Sequence, residues 1–198
     1  MPPGTCDDRG VVVNMNRFHR WYCGTWHWRR HLTGSILPEV VAGQALGDQV
    51  LELGPGRGAS TAWLRDRLPS LTSLELDPDL AAGLEERFAD VTIVNGSATA
   101  IPFDPGSFSA VVCTTMLHHV PTAGDQDQLF AEARRVLAPG GVFAGSDSLS
   151  TPIFRLAHHG DVMNVVDPDA LPERLAAAGF TDIEVRRGSD FFTFRAGI

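Results

Sequence analysis

The stretch Val50-Leu-Glu-Leu-Gly-Pro-Gly-Arg-Gly58 constrains this chain more than any other. Residues 49–53 read as a short strand that runs directly into Gly54, Gly56 and Gly58. Residues 59–68 then read as a helix, which Pro69 stops. Glycine at such a junction lets the backbone turn tightly and approach a ligand closely. A strand, a glycine turn and a helix in this order open a βαβ unit, so the rest of the chain is tested for alternation. It alternates. Strands are expected at 71–76, 91–95, 108–114 and 142–147, with helices at 78–88, 125–137 and 172–178 between or after them. Strand 108–114 is apolar, as expected of a strand buried on both faces of a parallel sheet. Asp77 caps a helix that opens with Pro78, the favoured arrangement. Segments 181–187 and 190–195, joined by Gly188-Ser189, read as a hairpin, which makes one late strand antiparallel to the others. A loop of about twenty residues with His158 and His159 is expected after strand 142–147.

The chain has 198 residues, which suits one domain. Residues 1–13 read as a flexible tail and 14–46 as a helical, aromatic cap, interrupted at Gly24. Residues 47–198 read as the α/β domain. In the cap, Trp21, Trp28 and Leu32 recur near helical spacing, as do Phe18, Tyr22 and Trp26. Such a segment either closes over a site or packs on the rim of the sheet. Trp21 and Trp26 are the expected acceptor contacts. All sixteen basic residues are arginine. Without lysine there is no Schiff base, no P-loop cation and no lysine base, and arginine does not deprotonate. The net charge of −8 disfavours a nucleic-acid partner. Three cysteines without metal spacing, no membrane span and no secretion signal point to a cytoplasmic protein.

The residues flanking the glycine loop narrow the ligand. Gly54-Pro55-Gly56-Arg57-Gly58-Ala59 also satisfies a dinucleotide fingerprint. However, Glu52, two residues before the first glycine, suits a cationic ligand better than a pyrophosphate. S-adenosylmethionine carries a sulfonium and an ammonium and no phosphate. The next strand ends Leu74-Glu-Leu-Asp-Pro-Asp79, and a carboxylate there can accept two hydrogen bonds from ribose hydroxyls, each worth roughly 1.5–3 kcal/mol. Asp77 is occupied as a cap, so Glu75 is the expected ribose acceptor.

These motifs, with GSATAIPFDPGSFSAVVCTTMLHHV at 96–120 and RRVLAPGG at 134–141, resemble the class I S-adenosylmethionine-dependent methyltransferases. IPFDPGSFSAVV followed by LHHV is most similar to the small-molecule enzymes of the ubiquinone/menaquinone-biosynthesis type. The resemblance covers about residues 50–195. It implies a Rossmann-like, seven-stranded, mostly parallel sheet with one antiparallel strand in the last-but-one position, helices on both faces, and S-adenosyl-L-homocysteine as product. It implies cofactor contacts from Glu52, Gly54, Pro55, Gly56, Gly58, Glu75, Leu76, Ser97, Ala98 and Thr114. Ser97 stands where the family usually has aspartate, which shifts adenine recognition toward the Ala98 amide and Leu76. LELGPGRGASTAWL and LELDPDLA also resemble the ribosomal-RNA adenine dimethylases. Those carry a polar-proline-aromatic motif where this chain has Thr115-Met116-Leu117-His118-His119. They also have a trailing helical domain and a basic surface that this chain is expected to lack.

For the chemistry, His118 is the expected general base, with Asp147 orienting it and His119 as the alternate. His158 is a candidate acceptor contact. No metal is expected, because neighbouring His158 and His159 point apart and no further ligand has useful spacing. The expectation is a methyltransferase acting on a small uncharged or aromatic molecule, O-methylation first, as a monomer or homodimer. The alternatives are RNA adenine methylation, a nicotinamide-dependent reductase, which the missing lysine disfavours, and a non-catalytic cofactor-binding regulator.

Overall fold

The structure, a computed structural model, describes residues 5–6, 12–13, 21–158, 160 and 163–198. The expected helical start at 14–20 and His159 lie outside the described residues. In the segment expected as a tail, Thr5–Cys6 and Val12–Val13 pair as a two-residue antiparallel ladder.

The alternation forms a single seven-stranded sheet. In chain order the strands are β1 (Val50–Leu53), β2 (Leu71–Glu75), β3 (Thr92–Asn95), β4 (Phe108–Thr114), β5 (Leu137–Ser148), β6 (Thr181–Arg187) and β7 (Phe191–Gly197). They lie side by side in the order β3-β2-β1-β4-β5-β7-β6. β7 runs antiparallel to both β5 and β6 and occupies the last-but-one position. The helices are α1 (Trp26–His31), α2 (Leu37–Val41), α3 (Ala59–Arg65), α4 (Pro78–Arg87), α5 (Ala123–Val136), α6 (Pro152–Ala157) and α7 (Leu171–Ala177). Among the described residues no helix is long and apolar enough to cross a membrane.

Two expectations are corrected. β5 begins at Leu137 and runs through Pro139-Gly140-Gly141, where the strand was expected only from residue 142. Leu137 pairs with Phe108 before the register shifts, so the turn is absorbed as an irregularity in the ladder. The long loop after β5 contains α6, whose first turn is capped by the Thr151 hydroxyl accepting from the Phe154 N–H.

Strand alternation feeds two cores. Leu51, Leu53, Val111, Cys113 and Phe143 face one side with Leu129, Phe130, Leu171 and Leu175 of α5 and α7. Val50, Val112 and Ala144 face the other, with Leu64 and Leu84. Leu32, Ile36, Leu37 and Val40 of the N-terminal segment belong to this second core, so the cap is built into the domain. Phe192 and Phe194 lie in the first core. Burial pushes the Cys113 thiol well above its usual range, and the side chain packs within the first core.

Gly58 shows why the loop is spelled as it is. It opens α3 with φ +75°, and a Cβ built there would stand 2.5 Å from Leu84 Cδ2 and 2.8 Å from Phe88 Cε2. Gly58→Ala is expected to cost about 1–3 kcal/mol from overpacking, with left-handed strain of roughly 1 kcal/mol in addition. Urea unfolding measures it, and a loss of less than about half a kcal/mol would contradict the close-packing role.

Candidate active site

β1 has β2 on one side and β4 on the other, so the strand order reverses there. A crevice opens at such a reversal, beyond the carboxyl ends of the strands. A cavity of about 640 Å³ occupies this place, within the usual range of small-molecule sites. Gly54, Pro55, Gly56, Glu75, Leu76, Ser97, Ala98 and Thr114 line it, as do His118, His119 and His158. Its walls therefore collect most of the expected residues from four strand ends.

Glu75 is the centre of the β1–β2 side. It is 6% exposed. Its Oε2 accepts the Gly56 N–H at 2.9 Å and its Oε1 accepts the Asp77 N–H at 3.0 Å. Burial raises its pKa above the ordinary 4.5, while the two amides oppose that rise. The carboxylate has about four lone-pair positions, so two remain for a ligand. Gly56 has φ +56°, and nothing among the described residues lies within 4 Å of a Cβ built there. The loop thus presents bare backbone to the cavity. Asn95 Nδ2 donates to the carbonyls of Glu75 and Leu76 and holds the end of β2 in place. Sequence reasoning missed Asn95, although an amide one strand away is the kind of group that satisfies a strand end. Ser97 exchanges a 2.8 Å hydroxyl contact with Thr99.

Some expected residues stand elsewhere. Glu52 does not line the cavity. It is 1% exposed beneath the loop, and its Oε2 accepts the hydroxyls of Thr61 and Ser73, each at 2.7 Å. The pleat turns it toward α3, the face that Val50 also takes. Its Oε1 has no hydrogen-bond partner among the described residues. Burial pushes its pKa up from 4.5, against the hydroxyls of Ser60, Ser73 and Thr61. A carboxyl raised on folding holds its proton more tightly in the native state, so its stabilisation is complete at low pH and lost as pH rises through the raised value. Glu52→Gln should therefore raise the melting temperature at neutral pH by a few degrees and change little below about 4.5. Melting curves across pH test this, and a variant that melts lower at neutral pH would contradict it.

Gly58 also lies off the lining, since its place is to admit Leu84 and Phe88 against the loop. Trp21 and Trp26 turn outward, 63% and 64% exposed. On the cap, Tyr22, Cys23, Trp28, His31, Leu32 and Ile36 line the cavity. A helical face carries Trp28, His31 and Leu32 inward. Trp26 lies on the opposite face, under the Arg30 guanidinium at 5.5 Å.

On the β4–β5 side, Asp147 follows Ser146, the partner of Thr114. It is fully buried and stands behind the wall. Its Oδ1 lies 2.5 Å from His118 Nδ1, and its Oδ2 accepts the His118 N–H at 2.8 Å. One carboxylate therefore holds both the ring and the backbone of His118. The 3-10 turn Leu117–His119 is secured further by Gln126, whose Nε2 donates to the carbonyls of Leu117 and Asn164. Thr115, between strand and turn, sits at φ 50° and lines the cavity. A non-glycine residue in the left-handed region at a site wall is a signature of functional backbone strain.

His158 corrects an expectation. Spacing offered no further ligand to it, yet α6 carries it to within 5.2 Å of His118 and 6.0 Å of His119, ring centre to ring centre. His118 and His119 are 4.1 Å apart. Ring nitrogens of all three lie within 4.8 Å of one another.

The chain was compared with known proteins. Residues 51–145 match the family model described as methyltransferase domain. The erythromycin 3''-O-methyltransferase of Saccharopolyspora erythraea is 29% identical over 206 residues, covering 91% of this chain and 65% of that protein. The demethylmenaquinone methyltransferase of Beutenbergia cavernae is 33% identical over 125 residues, covering 63% and 48%. The ribosomal RNA small subunit methyltransferase A of a Synechococcus strain is 44% identical, but over 82 residues, 38% of this chain and 29% of that protein. The chain thus spans less than two thirds of the length of these relatives. A solved SAM dependent methyltransferase from Aquifex aeolicus superposes with a TM-score of 0.72 at 16% identity, over 93% of this chain and all of that one.

Proposed function

We propose that the chain, whose residues 51–145 match a methyltransferase domain, methylates a small-molecule acceptor, at oxygen, using S-adenosyl-L-methionine. The single observation that carries the reading is the cavity itself, with bare glycine backbone and the Glu75 carboxylate at one end and the His118–Asp147 pair at the other. Residues present fit the cofactor. Glu75 has lone pairs left for two ribose hydroxyls, Leu76 and Ala98 offer flat apolar walls for adenine, and Gly54 to Gly56 leave room for the amino-acid end. Bound S-adenosylmethionine supplies a methyl on a positively charged sulfur.

The protein's part is to hold the acceptor in line and to take a proton. Alignment alone lowers much of the barrier of a displacement. His118 Nε2 is buried with no hydrogen-bond partner among the described residues, so it offers a lone pair when Nδ1 donates to Asp147. Asp147 stabilises the ring once Nε2 has accepted the acceptor's hydroxyl proton. Tyr22, Trp28 and Phe154 supply an apolar, aromatic wall that excludes water and suits a flat acceptor.

RNA methylation is the weaker reading. The ribosomal relative matches over only 38% of this chain, and the chain carries a net charge of −8. The decisive experiment is an acceptor screen with methyl-labelled S-adenosylmethionine, with small phenols and hydroxylated metabolites in one arm and RNA in the other. Label in a hydroxylated small molecule is the expected result. Label only in RNA, or calorimetric binding of NAD without S-adenosylmethionine, would overturn the reading.

A further inference from the structure

We propose that His118, His119 and His158 form a binding site for a divalent transition-metal ion of the zinc or cobalt type, opening onto the acceptor end of the cavity. Three imidazoles from two elements converge there, two from the 3-10 turn after β4 and one at the carboxyl end of α6. Their ring nitrogens already lie within 4.8 Å of one another. Around a tetrahedral ion with bonds of about 2.0–2.1 Å, neighbouring ligand atoms stand roughly 3.3 Å apart. Small rotations of the three rings close that difference.

The surroundings of the rings make this a built site and not a chance cluster. Metal-binding histidines almost always donate the other ring N–H to a carboxylate or a backbone carbonyl, which sets the tautomer and aims the ligating nitrogen. Both arrangements are present. His118 Nδ1 is held by the Asp147 carboxylate. His158 Nδ1 lies 2.8 Å from the Phe154 carbonyl, which can only accept, so this nitrogen carries the hydrogen. In the neutral ring, Nε2 of each then carries a lone pair. His118 Nε2 is buried without a hydrogen-bond partner among the described residues, an arrangement that costs free energy unless a ligand meets it. The buried Asp147 carboxylate also places negative charge directly behind the site.

The donor set chooses the ion. Imidazole favours zinc, cobalt, nickel or copper, whereas magnesium and calcium prefer oxygen. Three protein ligands leave a fourth position facing the cavity, the pattern of sites that hold a water or an oxygen ligand. The ion would occupy the His118 lone pair that the proposed base uses, so metal binding and proton acceptance by His118 exclude one another. The inference does not require the methyl-transfer reading, and its test is read by binding alone.

The full chain, freed of metal with a chelator, is titrated with Co²⁺. A one-to-one complex with the intense visible absorption of tetrahedral Co²⁺ is expected, bleached by Zn²⁺ and indifferent to excess Mg²⁺. Of the seven histidines, the imidazole nitrogen resonances of His118, His119 and His158 should shift together in NMR spectra of the unmutated protein. His158→Gln and His119→Gln should each weaken Co²⁺ binding at least tenfold while S-adenosylhomocysteine binding shows that the fold persists. No tetrahedral Co²⁺ spectrum, a shift confined to other histidines, or full affinity in a folded His158→Gln would overturn the proposal. Co²⁺ binding as expected in a chain that fails the acceptor screen would leave this site standing and sink the transfer reading alone.

Discussion

Replacing Glu75 by alanine is expected to lower affinity for S-adenosylmethionine by two to four orders of magnitude. Two charge-assisted hydrogen bonds to the ribose would be lost, each worth about 1.5–3 kcal/mol, and roughly 1.4 kcal/mol is tenfold in affinity. The same carboxylate accepts the amides of Gly56 and Asp77, so its loss also loosens the loop that shapes the cavity. Glu75→Gln should fall between the two, because an amide keeps one acceptor but turns an NH₂ toward a backbone donor. The pH dependence follows in sign. Burial raises the pKa of Glu75 above 4.5, and the ionised form is the better acceptor. Affinity should therefore decline on acidification, beginning at a higher pH than an ordinary glutamate would dictate. Calorimetry across pH measures both effects. A Glu75→Ala protein within threefold of wild type would remove Glu75 from the cofactor site.

The second large effect concerns His118. In chelator-treated protein, His118→Ala should reduce turnover by roughly 10²–10⁴-fold, the usual worth of a positioned acid or base. Cofactor affinity should be nearly unchanged. Asp147→Asn should also reduce turnover strongly, because an amide cannot stabilise the protonated ring as a carboxylate does. It is more disruptive to the fold, since the Asp147 oxygens also accept the N–H groups of His118 and Ser148. The contrast between lost turnover and retained cofactor affinity is the readout that separates chemistry from structure. Single-turnover rates with a labelled acceptor give the comparison. Turnover within a few-fold of wild type in His118→Ala would show that alignment alone suffices.

Much of the architecture was legible in local patterns. The switch between strand and helix periodicities, Asp77-Pro78, the glycine loop and the Gly188-Ser189 hairpin each depend on neighbours within a few residues. The two misread segments fail for an identifiable reason. Pro139-Gly140-Gly141 is ordinarily a stop, and only pairing with β4 draws it into a strand. α6 is too short to show a period, and its Thr151 cap becomes decisive only once the chain has left β5.

The site divides along the same line. Glycine backbone and the carboxylate at the end of β2 are properties of a strand–loop–helix unit, so the sequence by itself determined that Gly54, Gly56 and Glu75 stand together on one wall of the cavity. The direction of Glu52, the inward face of Trp28 and the approach of His158 to His118 and His119 belong to the tertiary structure alone. Side-chain direction follows from pleat, helix phase and packing against distant elements. α6 reaches the end of β4 only because the chain folds back over the sheet, and sequence spacing carries no record of that meeting.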